Sequence, residues 1–138
     1  MATVKLTQLV EKMELNNLTP EIDISHIKIT QPDINRPALQ LAGFFEFFET
    51  TRVQVIGFVE YSYMDEMDEE RRMKIYTELL KEDIPCIIYC RNLEPDETFR
   101  RIAVERGLPI FNTSKATSPF MAEIIRWLNV KLAPCISI

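Results

Sequence analysis

Polar side chains that could bind a small anion follow three apolar segments in the last two thirds of the chain. They lie in residues 58–62, 91–94 and 112–118, and the candidates are Glu60, Ser62, Arg91, Asn92, Thr113, Ser114, Lys115 and Thr117. Ligands of open α/β sheets bind beyond the carboxyl ends of the strands, so we expect these side chains to meet at one edge of a sheet. Arg91 and Lys115 would offset the charge of an anion there. Loops are also polar because water covers them, and this alternative stays open.

Catalytic patterns are missing from the sequence. Its three glycines, Gly43, Gly57 and Gly107, form neither G-x-x-x-x-G-K-[ST] nor G-x-G-x-x-G, the two familiar phosphate-binding patterns. His26 is the only histidine, and no G-x-S-x-G elbow accompanies it. The acidic run over 65–70 is typical of a solvated helix start, where the helix dipole favours carboxylates. We therefore assign no catalytic residue to this chain.

The three cysteines do not predict a disulfide or a metal site. Cys86 and Cys90 lie in one apolar run, and in a strand they would be roughly 13 Å apart, too far to share a bond or an ion. Cys135 is isolated near the end, and one histidine completes no zinc ligand set. Buried or incidental thiols are the expectation.

Composition and charge favour a soluble, cytoplasmic domain. The hydrophobic fraction is 46%, the charged fraction 27% and the net charge −5. Without a stripe of clustered Lys and Arg, a nucleic-acid partner is not expected. No apolar run approaches the length that spans a bilayer, and the start lacks the apolar segment of a secretory signal, so a membrane partner is not expected either.

The last two thirds of the chain alternate between apolar strands and amphipathic helices. The predicted elements are a strand over 52–58, a helix from Asp65 or Asp68 to about Glu82, a strand over 85–90, a helix that starts at Pro95 and ends before Gly107, a strand over 108–111 and a helix capped by Ser118 that runs to Leu132. Three such alternations predict an α/β fold, with a mostly parallel sheet and helices on both faces.

The first third is less regular. We expect a short helix capped by Thr3, extended structure within 22–29, and a loop over 30–37 that contains two prolines. The apolar residues 39–45 predict a strand or a strand edge. No linker divides the chain, so one domain is expected.

Several stretches of the sequence resemble bacterial HPr kinase/phosphorylases. Residues 33–37 and 39–45 are similar to the family stretch DI-[SN]-RPG-LQ-[LM]-AG-[YF]-F, whose polar positions are here Asp33, Asn35, Arg36 and Gln40. Further similar segments are Arg52–Gly57, Glu60–Tyr63, Ile84–Ile88, Arg91–Pro95 and Leu132–Pro134. Ala38 stands where the family usually has glycine, which predicts a loop without positive φ after Pro37. Cys90 and Cys135 also depart from the family's usual residues.

This resemblance implies the N-terminal domain of such an enzyme, distantly similar to the first domain of Mur ligases. Residues 1–134 would form that domain, and residues 135–138, with Ile136 and Ile138, would start the connection to a C-terminal P-loop kinase domain. The whole enzyme would be a hexamer that uses ATP and magnesium to phosphorylate a serine of HPr, and that also removes the phosphate by phosphorolysis. By the same resemblance, this reaction would control carbon catabolite repression of the sugar phosphotransferase system.

The resemblance leaves two functions open for this chain. One is a non-catalytic regulatory or assembly domain that contacts its own kinase domain and other subunits, with the catalytic residues and the ATP and magnesium sites outside it. The alternative is a module that binds a phosphometabolite or nucleotide through the strand-end loops. A free-standing enzyme is disfavoured because the chain lacks a nucleophile–base pair, a metal set and a phosphate loop.

Overall fold

The computed structural model describes residues 2–134. Its strands are β1 (Val4–Lys5), β2 (Asn16–Asn17), β3 (Lys28–Ile29), β4 (Ile34–Asn35), β5 (Val53–Ile56), β6 (Ile87–Tyr89) and β7 (Ile110–Asn112). Its helices are α1 (Leu6–Met13), α2 (Ala38–Leu41), α3 (Phe58–Glu66), α4 (Glu69–Leu79), α5 (Glu97–Glu105) and α6 (Thr117–Lys131). The predicted connection over 135–138 lies outside the described residues.

Five strands form the main sheet, in the order β2-β7-β6-β5-β4. β4, β5, β6 and β7 are parallel neighbours, while β2 joins the edge antiparallel to β7. The register pairs Val55 with Ile88 and Ile88 with Phe111. Separately, β1 and β3 form a two-stranded antiparallel sheet. The strand–helix alternation and the parallel pairing that it predicts are confirmed.

The main sheet is covered on both faces. On one face, Val55 and Ile88 pack with buried residues of α1 and α6, including Leu9 and Ile124. On the other, neighbouring strand residues such as Tyr89 pack with residues of α3, α4 and α5. Because successive strand side chains alternate in direction, a continuous apolar strand supplies both cores. The α/β class with helices on both faces is confirmed and is consistent with the first-domain fold of Mur ligases.

The predicted strand over 39–45 is wrong, because the chain forms α2 there. Pro37, with φ −80°, precedes the helix. Leu41 N–H donates to Pro37 O at 2.9 Å and Ala42 N–H to Ala38 O at 3.2 Å, so the segment satisfies its backbone locally. Ala38 is helical, which agrees with the predicted loss of positive φ there. The turn that ends the segment contains Gly43 at φ +101°.

Several predicted element boundaries also differ from the structure. Residues 58–62 belong to α3 and are not a loop. Lys5, not Thr3, precedes α1, and Ser118 lies inside α6, which begins at Thr117. Asp96 caps α5 after Pro95, because its carboxylate accepts the Phe99 N–H at 2.8 Å.

Within 22–29 only β3 is a strand, since two turns close earlier in the segment. Ile22 N–H donates to Thr19 O and Ile27 N–H to Ile24 O, each at 3.1 Å. Gly107 follows α5 at φ +72°, as its predicted role at the helix end requires.

In the described part of the chain, no helix combines the length and the apolar character needed to cross a bilayer.

Candidate functional site

The parallel strands end at one edge of the main sheet, and the candidate residues gather there. Arg36 follows β4, Gly57 follows β5, Cys90 follows β6 and Thr113 follows β7. Parallel neighbours place their carboxyl ends side by side, which is where open α/β sheets bind ligands. These four strand ends therefore lie side by side, while the binding of a ligand there stays a prediction.

Gly57 sits at a crowded point of this edge. A Cβ atom built on Gly57 would lie 2.6 Å from Thr117 Oγ1 and 2.7 Å from Arg36 Nη2. Its φ of −98° is open to any residue, so the need for glycine is steric. The missing side chain lets Arg36 and the first turn of α6 approach the end of β5.

The carboxylate of Glu60 is held by groups from two directions. Arg36 Nε donates to Glu60 Oε1 at 3.1 Å, and Arg36 Nη2 donates to both carboxylate oxygens at 2.8 and 2.9 Å. The Gly57 N–H donates to Glu60 Oε1 at 2.7 Å. Glu60 is only 4% exposed. Through the Gly57 N–H its carboxylate caps the start of α3, and through the guanidinium it neutralises the charge of Arg36.

Asn35 and Gln40 belong to a second hydrogen-bonded group beside it. Asn35 Nδ2 donates to Gln54 Oε1 at 2.7 Å and lies 3.3 Å from Gln40 Oε1. Gln54 Nε2 in turn donates to Arg52 O at 2.9 Å. Asp33 is exposed and lies 3.9 Å from the Arg52 guanidinium. These contacts fasten the segment around β4 and α2 to β5.

The loops after β6 and β7 are joined through their backbones. Arg91 and Asn92 both have positive φ, 59° and 56°, which is uncommon without glycine. The Arg91 N–H donates to Lys115 O at 3.0 Å, and the Asn92 N–H donates to Thr113 O at 2.8 Å. Thr113 is buried and its Oγ1 accepts the Lys115 N–H at 3.2 Å, while Ser114 is exposed.

The basic side chains of this edge differ in how they are neutralised. Lys115 Nζ contacts Glu123 Oε2 at 2.5 Å, and Arg36 is paired with Glu60 as described. Arg91 is exposed. Of the two cations predicted to offset an anion, Lys115 is thus already paired within the protein, and Arg91 is the more accessible.

The two described cysteine thiols are unsuited to nucleophilic chemistry. Burial raises the pKa of Cys86 well above its ordinary range. Burial also raises the pKa of Cys90, and the Thr117 hydroxyl and the Arg36 charge only partly oppose this effect. Because the thiolate is the reactive form, both thiols stay protonated and inert near neutral pH.

Comparison with known proteins identifies the family of this chain. A family model described as HPr Serine kinase N terminus matches residues 4–128. The chain belongs to this family. The HPr kinase/phosphorylase of Lachnoclostridium phytofermentans is 58% identical over 138 residues, which are 100% of this chain and 45% of that protein. That of Caldicellulosiruptor bescii is 37% identical over 130 residues, or 94% of this chain and 42% of that protein.

The chain thus spans less than half the length of these curated HPr kinase/phosphorylases, and it matches their family's N-terminal model. The resemblance drawn from the sequence motifs is confirmed. The motif residues Asn35, Arg36 and Gln40 take part in the hydrogen bonds around Glu60 and Gln54. In this chain, these side chains therefore join strands and helices.

Sequence reasoning about the site overlooked two features of this family member. It noted Gly57 near the end of a strand but not the close approach of Arg36 and Thr117. It also missed the pairing of Tyr76 with Asp96, whose hydroxyl and carboxylate oxygens lie 2.7 Å apart. A signal for the second was available, because a buried tyrosine usually needs a hydrogen-bond partner.

Proposed function

We propose that this chain is a non-catalytic regulatory or assembly domain of a HPr kinase/phosphorylase. The observation that carries this proposal is the use of the strand-end side chains. Arg36 and Glu60 bind each other and the Gly57 N–H, and Lys115 binds Glu123. Apart from the exposed Arg91, the charged groups at the edge where an α/β domain binds its ligands are thus occupied in holding the fold.

The sequence supports the same proposal by what it lacks for phosphoryl transfer. Transfer of a phosphoryl group from ATP requires a protein that holds the phosphates and magnesium in position, and a glycine-rich loop usually holds the phosphates. With three glycines and neither familiar loop pattern, this chain has no such element. ATP and magnesium would bind instead in a C-terminal P-loop domain that follows residues 1–134.

The complete protein would phosphorylate and dephosphorylate a serine of HPr in the cytoplasm, in the control of carbon catabolite repression. It would assemble as a hexamer, with this domain in contact with its own kinase domain or with other subunits. The kinase domain and the assembly are the partners through which this domain would act.

The decisive experiment separates catalysis from control. The 138-residue chain, incubated with ATP, magnesium and HPr, should form no phosphoserine and hydrolyse no ATP. The whole Lachnoclostridium phytofermentans relative, with and without the region matching this chain, should retain phosphoryl transfer in both forms. The two forms should differ in subunit assembly or in the balance of kinase and phosphorylase rates. Phosphoryl transfer by the isolated chain would overturn the proposal, and so would identical assembly and rates in the two forms.

A small-molecule-binding module is the second candidate function. It is favoured by the successive positive φ values of Arg91 and Asn92, since backbone strain in non-glycine residues often accompanies binding sites. Glu60, Thr113, Ser114, Lys115 and Thr117 would complete the surroundings of a phosphometabolite or nucleotide. It predicts a thermal shift with such a ligand that Arg91→Ala abolishes. A flat response across a metabolite panel would favour the assembly role.

A further inference from the structure

The outer side of α3 is apolar although it faces solvent. Phe58, Val59 and Tyr63 are between 43% and 69% exposed, and their spacing places them on one side of the helix. The opposite side of α3 packs into the domain core, where Met64 is buried. A helix that is apolar on both sides is typical of one that is covered on both sides. The outer side of α3 is therefore a candidate contact surface.

α2 contacts α3 and carries two further exposed apolar side chains. The turn that ends α2 closes with the Phe44 N–H on Leu39 O and the Gly43 N–H on Gln40 O, each at 2.9 Å. Hydrogen bonds in this pattern bring the two outer residues of the turn together, which are here Leu39 and Phe44. The exposed apolar residues of α2, its turn and α3 are called the apolar face below: Leu39, Phe44, Phe58, Val59 and Tyr63.

The area of the apolar face matches the need of a stable protein interface. If a fully exposed large side chain counts about 200 Å², the five residues together expose on the order of 500 Å². A stable interface buries about 800 Å² on each partner, and somewhat more than half of that area is nonpolar. The apolar face alone can therefore supply the nonpolar area that one partner of a dimer contributes.

The charges along α3 favour a second copy of this chain as the partner. The apolar face contains no charged residue, so two copies of it can meet without repulsion. The first turn of α3 has the positive end of the helix dipole, and Arg36 beside it stays 35% exposed although Glu60 binds it. Glu66 is exposed in the last turn. A two-fold axis across the middle of α3 would place each Glu66 near the first turn of the other α3.

We propose that the apolar face is a dimer interface, in which two copies of this chain pack their α3 helices antiparallel across a two-fold axis. Phe58, Val59 and Tyr63 of each copy are buried against the other copy. Because a two-fold contact uses the same surface on both partners, association stops at the dimer. This inference rests on the assembly role proposed above, and it names the surface through which two subunits would be joined.

Sedimentation velocity of the 138-residue chain at increasing concentrations tests the proposal. We expect a reversible equilibrium between monomer and dimer, without larger species. Val59→Lys should weaken dimerisation at least about tenfold, because a lysine pressed against apolar side chains loses its hydration. Val130→Lys is the matched control, since Val130 is 70% exposed, Val59 is 69% exposed, and α6 covers the opposite face of the sheet. The control should dimerise like the unaltered chain.

A chain that stays monomeric at every concentration would overturn the proposal. So would a dimer that Val59→Lys leaves intact, or one that both lysine variants weaken equally. Tyr63→Lys provides a second substitution in the apolar face should circular dichroism show that Val59→Lys folds poorly. Glu66→Lys tests the antiparallel arrangement, since it replaces attraction to the first turn of the other α3 by repulsion and should weaken dimerisation severalfold. Unchanged dimerisation of that variant would contradict the arrangement.

Failure of this inference is distinguishable from failure of the proposed function. A monomeric chain would leave the apolar face to another part of the complete protein. The regulatory or assembly role would then still be decided by the comparison of the relative with and without the region matching this chain.

Discussion

Arg36 places two guanidinium nitrogens on the buried carboxylate of Glu60, which also receives the backbone N–H of Gly57. This arrangement joins the segment after β4 to the first turn of α3 at the end of β5. The side chain of Glu60 is 3% exposed and that of Arg36 is 35% exposed. Removing one partner would leave the other charge poorly solvated, so the pair is important for local stability.

Glu60→Gln is expected to lower the free energy of unfolding by about 2 kcal/mol. This is less than the loss of about 3–5 kcal/mol typical of breaking a fully buried pair, because Arg36 keeps partial contact with water. Urea unfolding followed by circular dichroism measures the difference. Glu21→Gln is the matched control, since Glu21 accepts from Arg100 at 2.9 and 3.0 Å on an exposed surface. Its loss should be much smaller, and equal losses would contradict the assigned role of burial.

Gly57→Ala is expected to destabilise the domain by about 1–3 kcal/mol, as overpacking of a filled site does. The new methyl group would lie 2.6 Å from Thr117 Oγ1 and 2.7 Å from Arg36 Nη2, so both α6 and Arg36 must shift. Thr117→Ala in the same chain removes one of the two obstacles. The double variant should therefore lose less stability than the sum of the single variants in chemical denaturation. Additive losses would show that Thr117 does not limit the space at Gly57.

The sheet could be predicted from the sequence because its central strands are short, apolar and bounded by clear helices. The segment 85–90 is an example, since β6 lies inside it and is buried on both faces. The edge of the sheet and the segment beside it were harder to predict. β2 consists of two exposed asparagines, and only its pairing with β7 makes it a strand. Likewise α2 has an apolar composition that suits a strand, and local hydrogen bonds after Pro37 decide in favour of a helix.

The candidate site could be predicted in position but not in its pairing. Parallel strand ends determine where Arg91, Lys115 and Glu60 lie. The partners depend on tertiary contacts over long separations, such as Arg36 with Glu60, which no local pattern encodes. The crowding at Gly57 also requires the position of α6, which the sequence does not give.

Asp96→Ala is expected to lower the free energy of unfolding by about 2–3 kcal/mol, which is more than the loss of an ordinary helix cap lowers it. Asp96 accepts the Phe99 N–H at the start of α5 and also the Tyr76 hydroxyl at 2.7 Å. Its removal eliminates a cap worth about 1 kcal/mol and leaves a largely buried hydroxyl without its partner. Thermal and urea unfolding both report this loss.

Asp68→Ala is the control for the cap alone, because Asp68 accepts the Arg71 N–H at 2.8 Å on the exposed start of α4. Its expected loss is about 1 kcal/mol. Adding Tyr76→Phe to Asp96→Ala should recover part of the stability, since the unpaired hydroxyl is then absent. Without such recovery, the Tyr76 contact would not explain the excess loss.

The burial of Cys86 predicts that the free energy of unfolding falls in alkaline solution. Its ordinary pKa is 9.0, and burial raises the pKa in the folded state. Above about pH 9 the unfolded chain releases this proton while the folded chain retains it, so unfolding is favoured by about 1.4 kcal/mol for each further pH unit. Below that range both states hold the proton and Cys86 adds no pH dependence. Urea unfolding measured at a series of pH values gives the slope.

Cys86→Ala removes this one titrating group, and its stability should fall less steeply with pH than that of the unaltered chain. The small cavity left by the sulfur lowers stability at every pH and does not alter the slope. Tyr76→Phe is the control, because the ordinary pKa of Tyr76 is 10.0 and burial with the Asp96 hydrogen bond raises the pKa in the folded state. Tyr76→Phe should change the slope of stability against pH from about one pH unit higher than Cys86→Ala does. If Cys86→Ala and the unaltered chain lose stability in parallel above pH 9, the Cys86 thiol is not held protonated by burial.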